Sequence, residues 1–399
     1  MQSVLRLVLV DPCTATREDL KRILTGLDPV WVEAECANYD ELPEILNQAT
    51  PDIVIIDIDS DTNKGLEMVA QALRTHPQSR IFVTSGYSDS QRILLAMRSG
   101  AHEYLTTPLQ LDDILPALDR VRQCPGRPTG GPVNSKVISV AGVVGGVGST
   151  TVAVNVACAL AADANRRVVL VDLDMVMGDA DVCLDLVHTH TLIDVVENIN
   201  RLDFTLLKRS LVQHKSGLWF LSHPNSVADV ARVHPDSLKR LIGLLKATFT
   251  HVILNLSNGF RDTDITAMEV SDTILVVAQL DVSSLRNLGR LFKAFDGVES
   301  LRDSVKVVLN RVGAKDLNIP IEKAEETIGR EIFWQIPNDW QNSVAARTAG
   351  VPLVTHAPKA KLAVTLIKLA DALAGGATPG LHNGTAKRRG LFAMFSGSA

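Results

Sequence analysis

This 399-residue sequence lacks the features of several protein classes. Its five cysteines are scattered and form no C-x-x-C pair, which excludes a disulfide framework and a cysteine zinc site and predicts reduced thiols in a cytoplasm. Its ten histidines show no metal-ligand spacing. No apolar run reaches the roughly 18 to 20 residues that a membrane-spanning helix needs. The net charge of −5 gives no electrostatic reason to expect nucleic acid as a partner.

The first residues also lack the pattern of a secretory signal. The segment MQSVLRLVLVDP carries Arg6 inside a short apolar run that ends at Asp11, so we expect a buried strand there. The remaining composition, 46% hydrophobic and 21% charged, is typical of soluble globular proteins. The length favours two domains.

Apolar runs alternate with helical stretches along nearly the whole chain, which is typical of parallel sheets with crossover helices. In the first part the strand-like runs are LRLVLVD, VWVEAEC, DIVIID, RIFVTS and EYLTT. Helices are expected between them, over residues 17–27, 39–48, 65–75 and 90–99. These repeated units predict an α/β fold, with a flavodoxin-like doubly wound domain over residues 1–123.

Residues 124–135, CPGRPTGGPVNS, interrupt this pattern with three Pro and three Gly and are predicted to be a linker. A second series of strands begins at KVISVAG and continues through RVVLVDLD, GLWFLS, THVILNLS, DTILVVAQ and VKVVLNR. With helices over residues 150–165 and 359–373, it predicts a second α/β domain over residues 136–375. Residues 376–399 are predicted to be a flexible basic tail. Its KRRGLFAMF run supports at most weak or indirect membrane contact.

Polar side chains end three strands of the first domain. Asp11 follows the first strand, Asp57 ends the third, and Ser85 ends the fourth. Because ligands of open parallel sheets bind at the carboxyl ends of the strands, we expect these side chains to share one crevice. Over residues 4–122 this arrangement resembles the response-regulator receiver domain. The resemblance implies that Asp57 is the phospho-acceptor and that Ser85 supplies the hydroxyl that follows the phosphoryl group.

Two positions depart from the receiver pattern. Receivers carry a pair of acids after the first strand to hold Mg²⁺, whereas here Pro12 follows Asp11. They also carry a lysine before the proline after the fifth strand, and Thr107 occupies that position. Asp59 or Asp61 would have to replace the missing metal ligand. We therefore expect a domain that serves protein contacts, with a phosphorylation-controlled switch as the alternative.

The second domain opens on GVVGGVGSTT, residues 142–151, which resembles a phosphate-binding loop without its lysine. The pattern G-x-x-x-x-G-K-[ST] places that lysine on the β- and γ-phosphates, and Ser149 occupies its position here. A glycine-rich turn into a helix still offers backbone N–H groups and a helix dipole to an anion. The same glycines could also serve only a tight strand-to-helix turn.

Further motifs follow this loop in the order of the MinD/ParA group of deviant Walker-A ATPases: NVACALA, VVLVDLDMVMGD, HVILNLSNGF and VVLNRVG. A receiver-like domain joined to such a P-loop NTPase domain resembles the CpaE/TadZ family over residues 4–373. In that family the loop reads K-G-G-x-G-K-[ST]-[ST], so Val144 replaces the lysine that crosses a nucleotide-sandwich dimer. The nucleotide-binding positions that the resemblance implies are Gly145, Gly146, Val147, Gly148, Ser149, Thr150, Thr151, Asp172, Asn255, Asn310 and Arg311.

The resemblance also implies individual roles in this site. Thr150 would bind Mg²⁺, Asp174 would position the attacking water, and Asn310 would recognise adenine. Asn255 stands where the Walker-B acid is expected. Each missing lysine contact corresponds to roughly 1.5–3 kcal/mol, and charge stabilisation is nearly all of the catalysis in phosphoryl transfer. We therefore expect weak or absent hydrolysis, with two alternatives for the cofactor: ATP or ADP with Mg²⁺, or none.

The function implied by the resemblance is that of a cytoplasmic assembly and localisation factor for Flp/Tad-type pili. We expect a dimeric scaffold at the cell pole or the periphery of the inner membrane. Its expected partners are a second copy, the pilus and secretion machinery including a secretion ATPase, and a polar localisation factor. The alternatives are an active ATPase with an ATP-dependent monomer–dimer cycle and a switch set by phosphorylation of Asp57.

Overall fold

The computed structural model describes residues 5–25, 27, 30–49, 51–123, 135–199, 204–295, 298–314 and 319–375. The predicted linker, apart from residue 135, and the predicted tail lie outside these residues. The described chain forms two α/β domains, each built on its own sheet.

The first domain is a five-stranded parallel sheet with the strand order β2-β1-β3-β4-β5. Its strands are β1 Leu5–Val10, β2 Val30–Cys36, β3 Ile53–Asp57, β4 Arg80–Ser85 and β5 Glu103–Thr106. Its α-helices are α1 Thr14–Thr25, α2 Leu42–Gln48, α3 Thr62–Thr75, α4 Ser90–Ser99 and α5 Leu111–Gln123, with a short 3₁₀ turn at Tyr39–Glu41. The central strands β1 and β3 are buried throughout because helices cover both faces of the sheet. The five predicted strands are confirmed.

The second domain is an eight-stranded sheet with the order β13-β12-β11-β6-β10-β7-β9-β8. All pairs are parallel except the edge pair of β8 with β9. The strands are β6 Lys136–Gly142, β7 Val168–Leu173, β8 Val212–Gln213, β9 Trp219–Leu221, β10 His251–Leu256, β11 Thr273–Ala278, β12 Val305–Val312 and β13 Ile332–Pro337.

Twelve α-helices accompany this sheet within the described residues. The first six are α6 Ser149–Ala161, α7 Ala180–Leu184, α8 Leu192–Glu197, α9 Phe204–Ser210, α10 Pro235–Thr248 and α11 Asp262–Glu269. The others are α12 Val282–Phe295, α13 Glu299–Ser304, α14 Ile321–Ile328, α15 Trp340–Thr348, α16 Leu353–His356 and α17 Lys361–Leu373, and a 3₁₀ turn spans Val227–Arg232. None of the described helices is long and apolar enough to cross a membrane.

Helix α6 ends four residues before the end of its predicted range of 150–165. The carboxylate of Asp163 accepts a hydrogen bond from the backbone N–H of Asn165 at 3.0 Å, and this local turn competes with further helix. The apolar runs in the sequence do not predict strand β13. This edge strand is six residues long and only two of its residues are fully buried, so it lacks a continuous apolar run. The short antiparallel strand β8 also carried no sequence signal.

The two domains pack against each other along β2. Trp31 on this edge strand is 1% exposed and belongs to the same apolar core as Leu207 and Phe249 of the second domain. Arg240 donates to the carbonyl oxygen of Thr25 at 3.5 Å across the same boundary. Trp31 of the first domain is thus buried in the apolar core of the second domain, and the two domains are in direct contact along β2.

Candidate functional site

The phosphate-binding loop of the second domain links β6 to α6 and is shaped by glycine. Gly146 and Gly148 have left-handed φ values of 73° and 98°, which side chains other than glycine rarely adopt. A Cβ atom on Gly148 would stand 2.4 Å from the amide nitrogen of Asn310, so this position also requires the absence of a side chain. The loop therefore has the conformation and the close approaches that the glycine pattern predicts.

The backbone of this loop is suited to an anion. Among the described residues, the amides of Gly145, Gly146 and Gly148 donate no backbone hydrogen bond, and a Cβ atom on Gly146 would meet nothing within 4 Å. The loop runs directly into the N-terminus of the 13-residue helix α6. Thr150 and Thr151 lie half-buried in its first turn, and Val147 packs its side chain inward at 1% exposure. Free amides and a helix N-terminus fit a phosphate group.

No lysine reaches this loop from the two family positions, because Val144 and Ser149 occupy them. The Ser149 hydroxyl turns back toward β6 and would stand 3.0 Å from a Cβ atom on Gly142. Arg311 is a basic residue that bonds to the loop: its guanidinium donates to the carbonyl oxygen of Gly146 at 3.0 Å. It braces the loop from the side of β12 and has a left-handed φ of 56°.

Asn310 braces the neighbouring residue of the loop. Its amide nitrogen donates to the carbonyl oxygen of Val147 at 2.8 Å, and its amide oxygen accepts from the backbone N–H of Arg311 at 2.8 Å. The structure thus brings both predicted residues, Asn310 and Arg311, to the loop. Both polar atoms of the Asn310 side chain are engaged by backbone, and adenine recognition by this residue stays a prediction.

A cavity of about 120 Å³ lies beside the first turn of α6. It is lined by Thr151 and Val152 of that turn, by Asn310 and Arg311, by residues 336–340, 343 and 344, and by the apolar Leu362 and Leu366 of α17. Trp340 at its edge is 64% exposed, with the Arg311 guanidinium 5.7 Å from its ring centre. The sequence motifs assign no role to the side chains of IPNDW at residues 336–340.

The predicted acidic residues lie at the end of β7. Asp172 is 0% exposed, and its carboxylate accepts from the amide nitrogen of Asn255 at 2.8 Å and from the backbone N–H groups of Asp174 and Ala180 at 3.1 and 3.3 Å. Burial raises the pKa of Asp172 to about 6 in spite of these bonds and of the nearby His223. The amide oxygen of Asn255 is buried without a hydrogen-bond partner among the described residues. Asn255 therefore serves Asp172 as a hydrogen-bond donor.

Asp174 lies two residues beyond, in the turn that leads to α7. Its carboxylate accepts from the backbone N–H of Met177 at 3.3 Å, and the residue is half-buried. Farther along the turn, Asp179 forms an ion pair with Arg347 of α15. This pair ties the acidic turn to the helix that flanks the cavity, and no local sequence pattern indicates it.

A neighbouring turn after β10 is also held by a buried acid that sequence reasoning missed. Asp264 is 1% exposed and accepts from the Ser257 hydroxyl at 2.7 Å and from the backbone N–H of Arg261 at 2.9 Å. Burial raises the pKa of this carboxyl group. The turn that it holds carries Asn258, whose side-chain nitrogen would lie 3.4 Å from a Cβ atom on Gly145. It thus forms a second wall of the phosphate loop.

In the first domain, Asp11 follows β1 and Asp57 ends the adjacent strand β3, and both carboxylates are buried. Burial and the neighbouring charge of Asp57 both raise the pKa of Asp11, against hydrogen bonds from the Thr16 hydroxyl at 2.5 Å and the backbone N–H of Cys13 at 2.8 Å. Asp57 is 6% exposed and accepts from backbone N–H groups of the following turn at 3.1 and 3.2 Å. The described residues hold no group of three or more His, Cys, Asp or Glu arranged for a metal.

Asp59 does not join these acids. Its carboxylate accepts from the Ser85 hydroxyl at 2.5 Å, from the Gly86 backbone N–H at 2.5 Å and from the Arg92 guanidinium at 3.1 Å. Asp61, the other candidate replacement, caps α3 by accepting from the backbone N–H of Lys64 at 3.0 Å. Both carboxylates are thus committed to partners elsewhere, and the ligand position next to Asp11 stays without a substitute acid.

Two family models match the chain. The model described as a response regulator receiver domain matches residues 7–119, and one described as an AAA domain matches residues 135–307. The chain is 30% identical to the chemotaxis protein CheY of Listeria monocytogenes over 117 residues, which cover 29% of this chain and 98% of CheY.

The second domain is similar to proteins of the MinD group. It is 25% identical to the septum site-determining protein MinD of Thermotoga maritima over 227 residues, which cover 54% of this chain and 80% of that protein. A solved structure of MinD from Pyrococcus horikoshii OT3 complexed with Mg-ADP superposes with a TM-score of 0.52 at 24% identity, covering 60% of this chain and 95% of that one. This structural likeness shows the fold.

Proposed function

Since the first domain of this chain belongs to the response-regulator receiver family and the second is a MinD/ParA-like P-loop NTPase domain, we propose that the protein is an assembly and localisation factor for a Flp/Tad-type pilus. It acts as a cytoplasmic homodimeric scaffold at the cell pole or the inner-membrane periphery. Its partners are the pilus and secretion machinery, including a secretion ATPase, and a polar localisation factor.

The observation that carries the scaffold role is the state of the nucleotide site. The loop keeps its left-handed glycines and free amides, while Val144 and Ser149 supply no charge to a phosphate. The cavity beside α6 is small compared with the roughly 300–1,000 Å³ of ordinary ligand pockets, so it suits a nucleotide base with the phosphates outside on the loop. Nucleotide in this site is a structural ligand that is held and cleaved slowly or not at all.

The position of the loop at the start of α6 indicates which residues would hold the nucleotide. The amides of Gly145, Gly146 and Gly148 and the helix dipole of α6 would receive the phosphates, and Thr150 would contribute its hydroxyl to Mg²⁺. Bound Mg²⁺ would supply positive charge that the loop itself lacks. The MinD of Pyrococcus horikoshii OT3, which has this fold, is complexed with Mg-ADP.

An active ATPase is the second candidate because Asp174 is half-buried and the Arg311 guanidinium lies at the loop. Light scattering with phosphate-release measurements on the full chain separates the two. The scaffold predicts a dimer whose mass is the same with and without Mg-ATP, and phosphate release no faster than in Asp174→Ala. A monomer that dimerises only with Mg-ATP, together with release that Asp174→Ala abolishes, would establish the ATPase cycle instead.

The pilus assignment has its own test. Deleting the gene in its host is expected to abolish surface pili, and a tagged chain is expected to co-purify with the secretion ATPase of the same pilus system. Normal pili in the deletion strain would refute the assignment and leave the biochemical account of the nucleotide site standing.

A further inference from the structure

Another cavity of the second domain lies at the amino edge of its sheet, apart from the nucleotide loop. It has a volume of about 170 Å³ and is lined by two cations, by Thr248 and by the apolar Leu207, Leu211, Trp219 and Phe249. Its cation Arg167 directly precedes β7, whose six residues span about 20 Å to the carboxyl edge that carries the nucleotide site. The cavity is therefore a separate site.

The interior of this cavity offers water little to bind. Leu207, Leu211 and Phe249 are buried apolar side chains. Thr248 carries the only hydroxyl among the described lining residues, and this hydroxyl already donates to the carbonyl oxygen of Leu244 at 3.2 Å. An apolar cavity of about 150 Å³ stays dry and binds benzene. This cavity, which is of similar size, therefore suits a single apolar ring.

Two aromatic side chains and two cations define the chemistry of the ligand. Trp219 and Phe249 offer aromatic rings, which pack favourably against another ring in offset or edge-to-face geometry. Arg167 and Lys208 line the same cavity and are exposed, so they mark its solvent side. No described lining residue is acidic. We propose that the cavity binds a small aromatic carboxylate, with the ring in the apolar interior and the carboxylate at the cations.

The site borders on the contact between the two domains. Leu207 and Phe249 belong to the apolar core in which Trp31 of the first domain is buried. Burial lowers the pKa of Arg167, and the negative charge of Glu33 in β2 opposes this shift. A bound ring thus contacts side chains of the core that receives the first domain. The site depends neither on the nucleotide loop nor on the pilus role, so the failure of one assignment leaves the other standing.

The test uses 4-fluorobenzoate, titrated into the full chain and followed by ¹⁹F NMR. We expect saturable binding with a Kd of about 1 mM or tighter, as befits a ligand with a single ring. The probe 4-fluorobenzylamine has the same ring with a positive charge and is expected to bind at least about five-fold more weakly. Equal affinity for the two probes would overturn the assignment of a carboxylate.

The charge is tested at Lys208, because Glu33 already acts on Arg167. Lys208→Gln is expected to weaken binding of 4-fluorobenzoate by about two- to five-fold, the range of an exposed ion pair. The matched control is Arg209→Gln, which removes the same charge from the next residue of α9, an exposed position that does not line the cavity. It is expected to leave the affinity unchanged. An equal loss in both variants contradicts the proposal.

The position of the ring is tested at Leu211, in opposite directions. Leu211→Trp fills the cavity and is expected to abolish binding, whereas Leu211→Ala enlarges it and is expected to bind 4-fluorobenzoate still. A change that only disturbed the fold would weaken binding in both. If Leu211→Trp does not fold, Leu211→Phe is expected to weaken binding at least about five-fold by the same reasoning. Non-saturable binding in the wild type, or unchanged binding in a folded filling variant, overturns the proposal.

Discussion

Restoring the acid that the MinD/ParA group carries at residue 255 is expected to destabilise this protein. The amide nitrogen of Asn255 donates to the carboxylate of Asp172 at 2.8 Å, and both side chains are 0% exposed. The substitution Asn255→Asp replaces this donor by a second carboxylate at the same place. The perturbation is therefore nearly isosteric, and its effect is electrostatic.

The magnitude follows from the contacts of Asp172. A hydrogen bond to a charged group contributes roughly 1.5–3 kcal/mol, and leaving a buried charge without its partner costs about 3–5 kcal/mol. Burial already raises the pKa of Asp172 to about 6, and a second carboxylate raises the pKa of the pair further. The folded variant then binds a proton that the unfolded chain releases, so its stability falls as pH rises. We expect a deficit of about 3–5 kcal/mol at pH 8 and a clearly smaller one at pH 5.

Urea unfolding at the two pH values, with a chelator present to exclude metal ions, measures this deficit. The slope of the transition should stay constant while its midpoint moves. The control is Asn258→Asp, the same chemical change at an exposed position, which is expected to alter stability by no more than about 0.5 kcal/mol. A variant as stable as the wild type at pH 8, or a deficit of equal size at both pH values, would refute the reasoning.

Three other predictions use the same unfolding assay. Trp31→Ala should cost about 3–5 kcal/mol and split the transition into two, since this side chain joins the two domains, whereas Trp340→Ala at a 64% exposed site should change stability by about 0.5 kcal/mol or less. Gly148→Ala should cost roughly 1–3 kcal/mol because its φ is 98° and its Cβ would stand 2.4 Å from a neighbouring side chain, while Gly145→Ala, whose Cβ would meet nothing closer than 3.4 Å, should be tolerated. Because the folded pKa of Asp172 is raised from 3.8 to about 6, its ionisation removes about 3 kcal/mol as pH rises through that window, and Asp172→Asn should flatten this slope. Unchanged midpoints in the first two cases, or an unchanged pH slope in the third, would contradict the packing and burial on which they rest.

Much of the fold could be predicted because it depends on local pattern. Buried parallel strands are continuous apolar runs. Strands β3 and β6 end at Asp57 and Gly142, and Asp11 and Asp174 directly follow β1 and β7, so polar or glycine residues mark the carboxyl edges of both sheets. That rule predicts from the sequence alone that Asp11 and Asp57 lie at the same edge of one sheet. The conformation of the phosphate loop could also be predicted, because left-handed backbone strongly favours glycine and the loop sequence is rich in glycine.

The remainder depends on contacts between distant residues that no local pattern encodes. The ion pair of Asp59 with Arg92 joins residues 33 positions apart in the sequence, and the ion pair of Asp179 with Arg347 joins residues 168 positions apart. The packing of Trp31 into the second domain could not be predicted either, because an edge strand has the same alternation whether it faces water or a neighbour. The sequence indicates that Asn255 stands where an acid is expected, but its role as the donor to Asp172 depends on the register of β10 against β7.

The most direct test of the central claim is a calorimetric titration of ATP with Mg²⁺ into the wild-type chain beside Ser149→Lys. The claim is that the loop keeps the backbone conformation that binds a phosphate, and that the absence of its lysines weakens nucleotide binding and slows or abolishes hydrolysis. We predict measurable wild-type binding that Ser149→Lys tightens by roughly ten- to a hundred-fold, because the restored lysine adds one charge-assisted contact. Absence of binding in both proteins would contradict the account, since it would mean that the loop no longer receives a phosphate at all.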